Sequence, residues 1–493
     1  MLEKVDLKET ISHDKYSELS KKLKLKLSSL QQPIKQKGLP VVVLFEGWGA
    51  AGKGSLISKL ILNFDPRGFK VYSIIEPTEL EKREPVLWRY WTKIPKRGQM
   101  AVFDRSWYFD VYSEEKDITD ADSMRRMDGI NTFERQLTDD GYLVIKFFIH
   151  IGQKGQKERF ENLCRDKNTA WRVTELDWQR NHHYDKYYRI FDKMLEYTDT
   201  ENAPWHIISG TDKKLAAIKV YKTVADRVTA ALKAKENASI IITDSNIDPG
   251  KYNFAVLPKL ADVPLDKKLS ADVYKKELKE KQHTLSVLHG KIYRKKVPVV
   301  IAYEGWDAAG KGGNIRRVAK ALDPRGYEVV PIAAPTPDEK ARQYLWRFWT
   351  NLQHDGHVTI FDRTWYGRVM VERIEGFCGE EEWHRAYKEI NEFERELYDW
   401  GAVIIKFWLQ IDKDEQFKRF RTRQNTPSKR WKITDEDWRN REKWDQYETC
   451  VNEMIKYTST DFAPWHIIES QDKKYARVKT LDIIIDTIRN IFN

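Results

Sequence analysis

The stretch Pro298-Val-Val-Ile-Ala-Tyr303-Glu-Gly-Trp-Asp-Ala-Ala-Gly-Lys-Gly312 decides the fold. Its first part is a short, unbroken apolar run, as a strand covered on both faces of a parallel sheet requires. Its second part, Gly305-x4-Gly310-Lys311, has the GxxxxGK spacing of a phosphate-binding loop. In such a loop the glycines let backbone N–H groups turn inward around a phosphate, and the start of the next helix adds a positive dipole. The lysine bridges phosphoryl oxygens. The spacing therefore predicts strand, loop and helix, with Ala309, Gly310, Lys311, Gly312 and Gly313 as the phosphate-binding segment.

The same segment stands 258 positions earlier as Pro40-Val-Val-Val-Leu-Phe45-Glu-Gly-Trp-Gly-Ala-Ala-Gly-Lys-Gly54. Further blocks follow in the same order. Asp65-Pro-Arg-Gly68 matches Asp323-Pro-Arg-Gly326, Phe103-Asp-Arg-Ser-Trp-Tyr108 matches Phe361-Asp-Arg-Thr-Trp-Tyr366, and Ala203-Pro-Trp-His-Ile-Ile208 matches Ala463-Pro-Trp-His-Ile-Ile468. A repeat this long is a duplicated domain rather than a solenoid unit. The expected organisation is a first domain over 1–233, a linker or surface strap over 234–270 marked by Asp248-Pro-Gly250, Pro258 and Pro264, and a second domain over 271–493.

Each copy alternates strand and helix signals. Lys70–Ile75, Met100–Phe103, Tyr142–His150 and His206–Ile208 read as strands two to five of the first copy, and Glu328–Ala333, Val358–Phe361, Ala402–Leu409 and His466–Ile468 as those of the second. A basic helix precedes each first strand, over Tyr16–Lys37 and Tyr274–Lys295. The fold class is α/β, two tandem domains each with a mostly parallel sheet flanked by helices. Within the 493 residues no apolar stretch approaches the ~18 residues of a membrane helix. Three cysteines, Cys164, Cys378 and Cys450, form no CxxC pair. A cytoplasmic protein with no membrane partner is expected. The net charge of +11 suits a polyanionic partner without requiring one.

One position departs from the usual phosphate loop. The Ser/Thr that normally follows the lysine and holds Mg²⁺ is Gly312, and Gly54 in the first copy. Phosphate-bound Mg²⁺ needs hard oxygen ligands, and the candidates are Asp307 in the loop and Asp362 at the end of the third strand. Asp362 precedes Arg363, which could hold it structurally; its place at the carboxyl end of a parallel strand, where ligands bind, argues for the site.

Three segments carry a resemblance: Glu-Gly-Trp-Asp-Ala-Ala-Gly-Lys-Gly-Gly (304–313), Phe-Asp-Arg-Thr-Trp-Tyr-Gly-Arg-Val-Met-Val-Glu-Arg (361–373) and Pro-Trp-His-Ile-Ile-x-x-x-Asp-Lys-Lys (464–474). The chain resembles the polyphosphate kinase 2 family over nearly its whole length, twice, and its tandem arrangement is similar to the two-domain subclass. The resemblance implies a P-loop kinase-like core with a helical lid, inorganic polyphosphate as donor, AMP as acceptor giving ADP, and Mg²⁺, with Mn²⁺ as a substitute. In that reading Asp307 and Asp362 hold the metal, Lys311 and the loop amides stabilise the transferred group, and Arg363 and Arg368 stand nearby. Asp307 could instead orient or deprotonate the attacking AMP phosphate oxygen. Two other readings stand beside this one, an ATP-dependent nucleoside monophosphate kinase and a non-catalytic P-loop module binding polyphosphate or nucleic acid. The carboxylates argue against the second, and a nucleic-acid partner is not expected. Homo-oligomerisation is left open.

The two copies differ where a donor channel would lie. Lys418–Lys432 holds seven basic residues and no acidic one, whereas Glu158–Arg172 holds four basic and three acidic. Arg421, Arg423, Lys429 and Arg430 are replaced by Glu161, Leu163, Thr169 and Ala170, so these four form the expected polyphosphate lid. Gly49 replaces Asp307, and Phe109-Asp110 replaces Gly367-Arg368. Catalysis is therefore expected in the second domain alone. The tryptophans at 88, 91, 346 and 349 and the histidines at 206 and 466 recur in both copies and are expected to be structural.

Overall fold

The computed structural model describes residues 1–113, 118–237 and 247–492, apart from the side chain of residue 432. The chain divides into two compact units. One comprises Met1–Thr78, Val86–Ile241 and Thr336–Trp346, the other Glu79–Pro85, Ile242–Pro335 and Arg347–Asn493. Among the described residues no helix is long and apolar enough to cross a membrane.

The first unit holds β1 (Val41–Gly47), β2 (Phe69–Ser73), β3 (Met100–Asp104), β4 (Leu143–His150) and β5 (Trp205–Ser209). They form one parallel sheet in the order β2-β3-β1-β4-β5. Its helices of eight or more residues are α1 (His13–Gln36), α2 (Lys53–Ile61), α3 (Ala121–Asp139), α4 (Gln153–Arg165), α5 (Glu175–His182), α6 (Tyr184–Thr198) and α7 (Lys213–Asn237). The second unit repeats the plan with β6 (Val299–Gly305), β7 (Tyr327–Pro331), β8 (Val358–Asp362), β9 (Val403–Gln410) and β10 (Trp465–Glu469), again parallel, in the order β10-β9-β6-β8-β7. Its helices of eight or more residues are α8 (Ala271–Lys295), α9 (Lys311–Ala319), α10 (Glu380–Asp399), α11 (Lys413–Asn425), α12 (Asp435–Glu442), α13 (Trp444–Thr458) and α14 (Lys473–Phe492). Every strand and both basic helices expected from the sequence are present.

In each unit the phosphate-loop strand lies at the centre of the sheet, and β4 and β9 are buried along their whole length. One charge is inside that wall. Lys406 donates to Tyr366 Oη at 2.8 Å, to Glu394 Oε2 at 2.7 Å and to the Thr458 carbonyl at 2.6 Å. Glu394 Oε1 in turn accepts from Trp365 Nε1 and Tyr366 Oη. Burial pushes both charged groups toward neutrality, and each holds the other against it. The first unit repeats the network with Lys146, Glu134, Tyr108, Trp107 and Thr198. A pair kept in both copies serves the framework, here by clamping the residues that follow the β3 and β8 aspartates.

Of the segment expected to be a linker, residues 238–246 lie outside the described residues. Residues 234–237 instead complete α7, and 247–270 form a strap on the second unit. Asn391 Nδ2 donates to the Pro249 carbonyl, Ala255 N–H to the Ser459 carbonyl, and Gln410 Nε2 to the Leu260 carbonyl. Leu260 and Leu2 are 258 positions apart, both are buried, and both begin a short 3₁₀ turn. The second repeat thus begins well before its first long helix.

Candidate phosphoryl-transfer site

The loop between β6 and α9 adopts the conformation its glycines permit. Gly305 and Gly310 have φ of 147° and 117°. A Cβ on Gly305 would meet the backbone of Leu409 at 2.7 Å, so β6 can lie this close to β9 only with glycine there. Ala308 at φ 63° is a strained non-glycine turn residue. Arg419 holds the loop from the lid side, donating to the carbonyls of Ala308, Ala309, Ser470 and Gln471. Trp306 anchors it from the other side, stacked on Trp444 with ring centroids 3.6 Å apart. The first unit has the same clamps in Arg159 and in Trp48 stacked on Tyr184.

The Ala309 N–H bonds the Trp306 carbonyl and the Gly313 N–H bonds the Gly310 carbonyl, so neither points outward. The N–H groups of Gly310, Lys311 and Gly312 find no acceptor among the described residues. The outward-facing set is therefore narrower than the five residues expected. Lys311 Nζ folds back on the Gly305 carbonyl at 2.6 Å, a contact an incoming phosphate can replace.

Asp362 ends β8 and lines the cavity above this loop. Arg363 follows with φ 66°. It is held in that conformation by buried Glu304, which accepts from the N–H and Oγ1 of Thr364, both at 2.8 Å, and by the Glu394 network at Trp365 and Tyr366. Burial raises the Glu304 pKa, with Lys311 acting against it. Arg363 reaches Asp307 Oδ1 at 3.4 Å, and Asn440 on the lid donates to Asp307 Oδ2 at 3.1 Å. Burial lowers the Arg363 pKa, but Asp307, Glu304, Glu436 and Asp362 outweigh it and raise it. One guanidinium thus faces four carboxylates.

Two cavities meet here. One, about 530 Å³, is lined by loop residues 306–308 and 310–313 with Asp362, Arg363, Arg423, Trp431, Thr434, Glu436, Asp437 and Asn440. The other lies between Trp306, Gly367, Met370, Val371, Trp408 and Tyr447. Trp306, Asp307, Lys311, Arg363, Glu436 and Asn440 line both. The two cavities thus share a wall at Asp307, Lys311 and Arg363, an arrangement that can bring the ends of two ligands together.

Not every expected residue is brought to it. Arg368 pairs with Glu372 at 3.1 Å, lies within 3.9 Å of Glu382, and lines neither cavity. Of the four lid cations only Arg423 lines the cavity; Arg421, Lys429 and Arg430 are exposed. Conversely, Glu304, Asn440, Lys473 and Arg477 were missed. Arg477 lies 3.2 Å from where a Cβ of Gly313 would be. Lys473 is exposed at the start of α14, yet partial desolvation and the nearby Arg419, Arg477 and Arg423 lower its pKa to about 8. Arg477 is Ala217 in the first copy, so the same comparison that singled out the lid would have found it. The histidines at 206 and 466 are held neutral by burial, to about 4 at His466. Trp91 and Trp349 pack edge-on against Phe133 and Phe393. These residues are structural.

Among the described residues no cluster of three or more His, Cys, Asp or Glu forms a ready metal cage. Two carboxylates facing one phosphate cavity are nevertheless the donor set Mg²⁺ takes when substrate phosphates and water complete its shell. Asp307 and Asp362 fit that ion.

A family model described as polyphosphate kinase 2 matches residues 10–236 and 268–491. The polyphosphate:AMP phosphotransferase of Pseudomonas aeruginosa is 41% identical over 492 residues, covering 99% of this chain and 98% of that protein. The protein of the same name from Pseudomonas syringae pv. tomato is 40% identical over 501 residues, covering 100% and 99%. A crystal structure assigned to polyphosphate kinase 2 from Pseudomonas aeruginosa PA01 superposes with a TM-score of 0.87 at 39% identity, covering 100% of this chain and 99% of that one. With both repeats matched, the chain belongs to the polyphosphate kinase 2 family.

Proposed function

We propose that this chain transfers a phosphoryl group from inorganic polyphosphate to AMP, giving ADP, with the chemistry in the second domain. The observation that carries the reading is the junction of two cavities at Asp307, Lys311 and Arg363, one over the phosphate loop for the donor and one under the lid for the acceptor. AMP as acceptor rests on relatives of that name that match over their full length.

Phosphoryl transfer requires positioning and charge stabilisation and little covalent work from protein groups. Lys311 exchanges its contact with the Gly305 carbonyl for a donor phosphate oxygen, beside the outward amides at 310–312. Arg363, preset in its strained conformation, stabilises charge growing on the transferred group. Asp307 and Asp362 would hold Mg²⁺, or Mn²⁺ in its place, which supplies the positive charge that neutralises donor and acceptor phosphates. Asn440 and Arg363 fix Asp307 so that its carboxylate needs no reorganisation. Trp306, Met370, Val371 and Tyr447 exclude water from the acceptor side. Arg423, with Lys473 and Arg477 beyond it, forms the cationic path of the donor chain.

The test is donor and acceptor choice. Purified protein with Mg²⁺ is offered polyphosphate or ATP, each with AMP, GMP, ADP or GDP. ADP formation from polyphosphate and AMP supports the reading. Phosphorylation of AMP from ATP alone would replace it with an ordinary nucleoside monophosphate kinase.

A further inference from the structure

The first unit has kept half of the site and filled the other half. Its phosphate loop is intact, with Gly47, Ala50 and Gly52 at φ 124°, 54° and 109°, and Lys53 folded on the Gly47 and Trp48 carbonyls. Above the loop opens a groove of about 900 Å³. The acceptor side is closed. Where the second unit has Gly367 and Met370, the first has Phe109 and Tyr112. Tyr112 donates to Glu46 Oε2 at 2.6 Å and packs edge-on against Phe109 and Phe191. What remains there is about 20 Å³, against about 90 Å³ in the second unit.

The two grooves differ in the carboxylates around the loop. Beside the second-unit loop Lys311, Arg363 and Arg423 face Asp307, Asp362, Glu436 and Asp437, with Arg419, Lys473 and Arg477 further along the same groove. The four carboxylates oppose a phosphate chain at the loop until a divalent cation intervenes. In the first unit Asp307 is replaced by Gly49 and Glu436 by Leu176. A Cβ on Gly49 would lie 2.7 Å from Asp177 Oδ1, so a carboxylate there would require Asp177 to move. The first-unit groove keeps Lys53, Arg105, Arg159, Arg172 and Lys213 against Asp104 and Asp177 alone. Five cations facing two carboxylates attract a polyanion unaided.

We infer that the first domain is a metal-independent binding site for a linear phosphate chain, closed to nucleotide acceptors by Phe109 and Tyr112. It deepens the proposed function by giving the non-transferring domain a hold on the donor. Leu163 and Ala217 stand where the second unit has Arg423 and Arg477, so its grip is weaker than the second domain's and falls less steeply with salt.

The experiment is a calorimetric titration of the full chain with short-chain linear polyphosphate and, separately, with AMP, in Mg²⁺ and in EDTA. Two polyphosphate sites per chain are expected in Mg²⁺ and one in EDTA, with a single AMP site. In EDTA, Lys53→Ala should weaken polyphosphate about tenfold or more, the loss of one charge-assisted contact. Lys213→Glu, at an exposed helix start, should weaken it too and guards against a folding defect at Lys53. Loss of all binding in EDTA, EDTA-resistant binding that responds to Lys311→Ala instead, or two AMP sites would each overturn the inference. If AMP is still phosphorylated while EDTA abolishes all binding, only this inference fails. EDTA-resistant binding without transfer to AMP refutes the proposed reaction alone.

Discussion

Replacing Asp307 by asparagine probes the junction most directly. The side chain keeps its volume, but its two oxygens now take one donor each, Arg363 at 3.4 Å and Asn440 at 3.1 Å. An amide can still accept from one of them and must turn its NH₂ toward the other. The substitution thus removes one hydrogen bond, opposes two donors, and leaves the Arg363 charge without its nearest counter-ion. Losing one preorganised electrostatic contact of this kind costs about 10²–10³ in kcat. The KM for AMP should change far less, since nucleoside binding uses the apolar wall formed by Met370, Val371 and Tyr447. Stability should hardly move. The Arg363 side chain is 51% exposed and Asp307 18%, and such ion pairs contribute about 0–1 kcal/mol. Initial rates of ADP formation over both substrates, with a thermal melt of each protein, give the three quantities. Partial recovery in Mn²⁺ identifies Asp307 as a metal ligand, and equal loss in both metals identifies it as the group that orients the acceptor. A variant with near-normal kcat would refute both roles and with them the main reason for assigning catalysis to the second domain.

Other outcomes follow from the same geometry. Arg423→Ala should raise the polyphosphate KM more than Arg421, Lys429 and Arg430 neutralised together, because only Arg423 lines the cavity; equal effects would show that the whole row contacts the donor. Lys473, with its pKa lowered to about 8, is charged below that pH and loses its charge above it. The polyphosphate KM should therefore rise above about pH 8, and Lys473→Arg should flatten the rise. Between about pH 8 and the ordinary lysine value the unfolded chain binds the extra proton, so this residue's contribution to folding stability increases with pH even as donor binding weakens. Lys406→Met leaves Glu394 buried without its cation and should cost about 3–5 kcal/mol in denaturant unfolding; a loss below about 1 kcal/mol would mean that the pair is not closed in solution.

The sheet was legible because two signals agreed. The apolar runs at 41–45 and 299–303 are too continuous for a half-exposed strand, and the duplication let each element be read twice. The site was legible less evenly. Arg419 is one of the seven basic residues counted in Lys418–Lys432, yet it is buried and holds the loop carbonyls. Its spacing with Gln416, Phe420 and Arg423 is i, i+3, i+4 and i+7, one face of a helix, and that pattern marks the inward row. Arg421 falls off it and is exposed. Of the exchanged pair Gly367-Arg368, Gly367 lines the second cavity, while Arg368 pairs with Glu372. Composition cannot show whether an arginine faces a ligand or pairs with a carboxylate of its own domain.

The comparison of copies separates framework from chemistry more sharply than either copy alone. What both units keep is the means of holding a loop still: Arg159 and Arg419 on the loop carbonyls, Trp48 and Trp306 stacked on the opposite side, Glu46 and Glu304 on the residue after the arginine, and the Lys–Glu–Tyr network beneath. These clamps force Arg105 and Arg363 into the left-handed region in both, at φ 61° and 66°. Strain of that kind persists only where the surroundings over-determine it. If it served transfer alone, nothing would maintain it in a unit that lacks the loop aspartate and has an aromatic plug in its acceptor pocket. Its retention fits the phosphate hold inferred for the first unit, in which the posture of this arginine matters before any acceptor arrives. On that reading the groups confined to the second unit, Asp307, Asn440, Arg423, Arg477 and the opening at Gly367, are the additions that turn a phosphate grip into a transfer site.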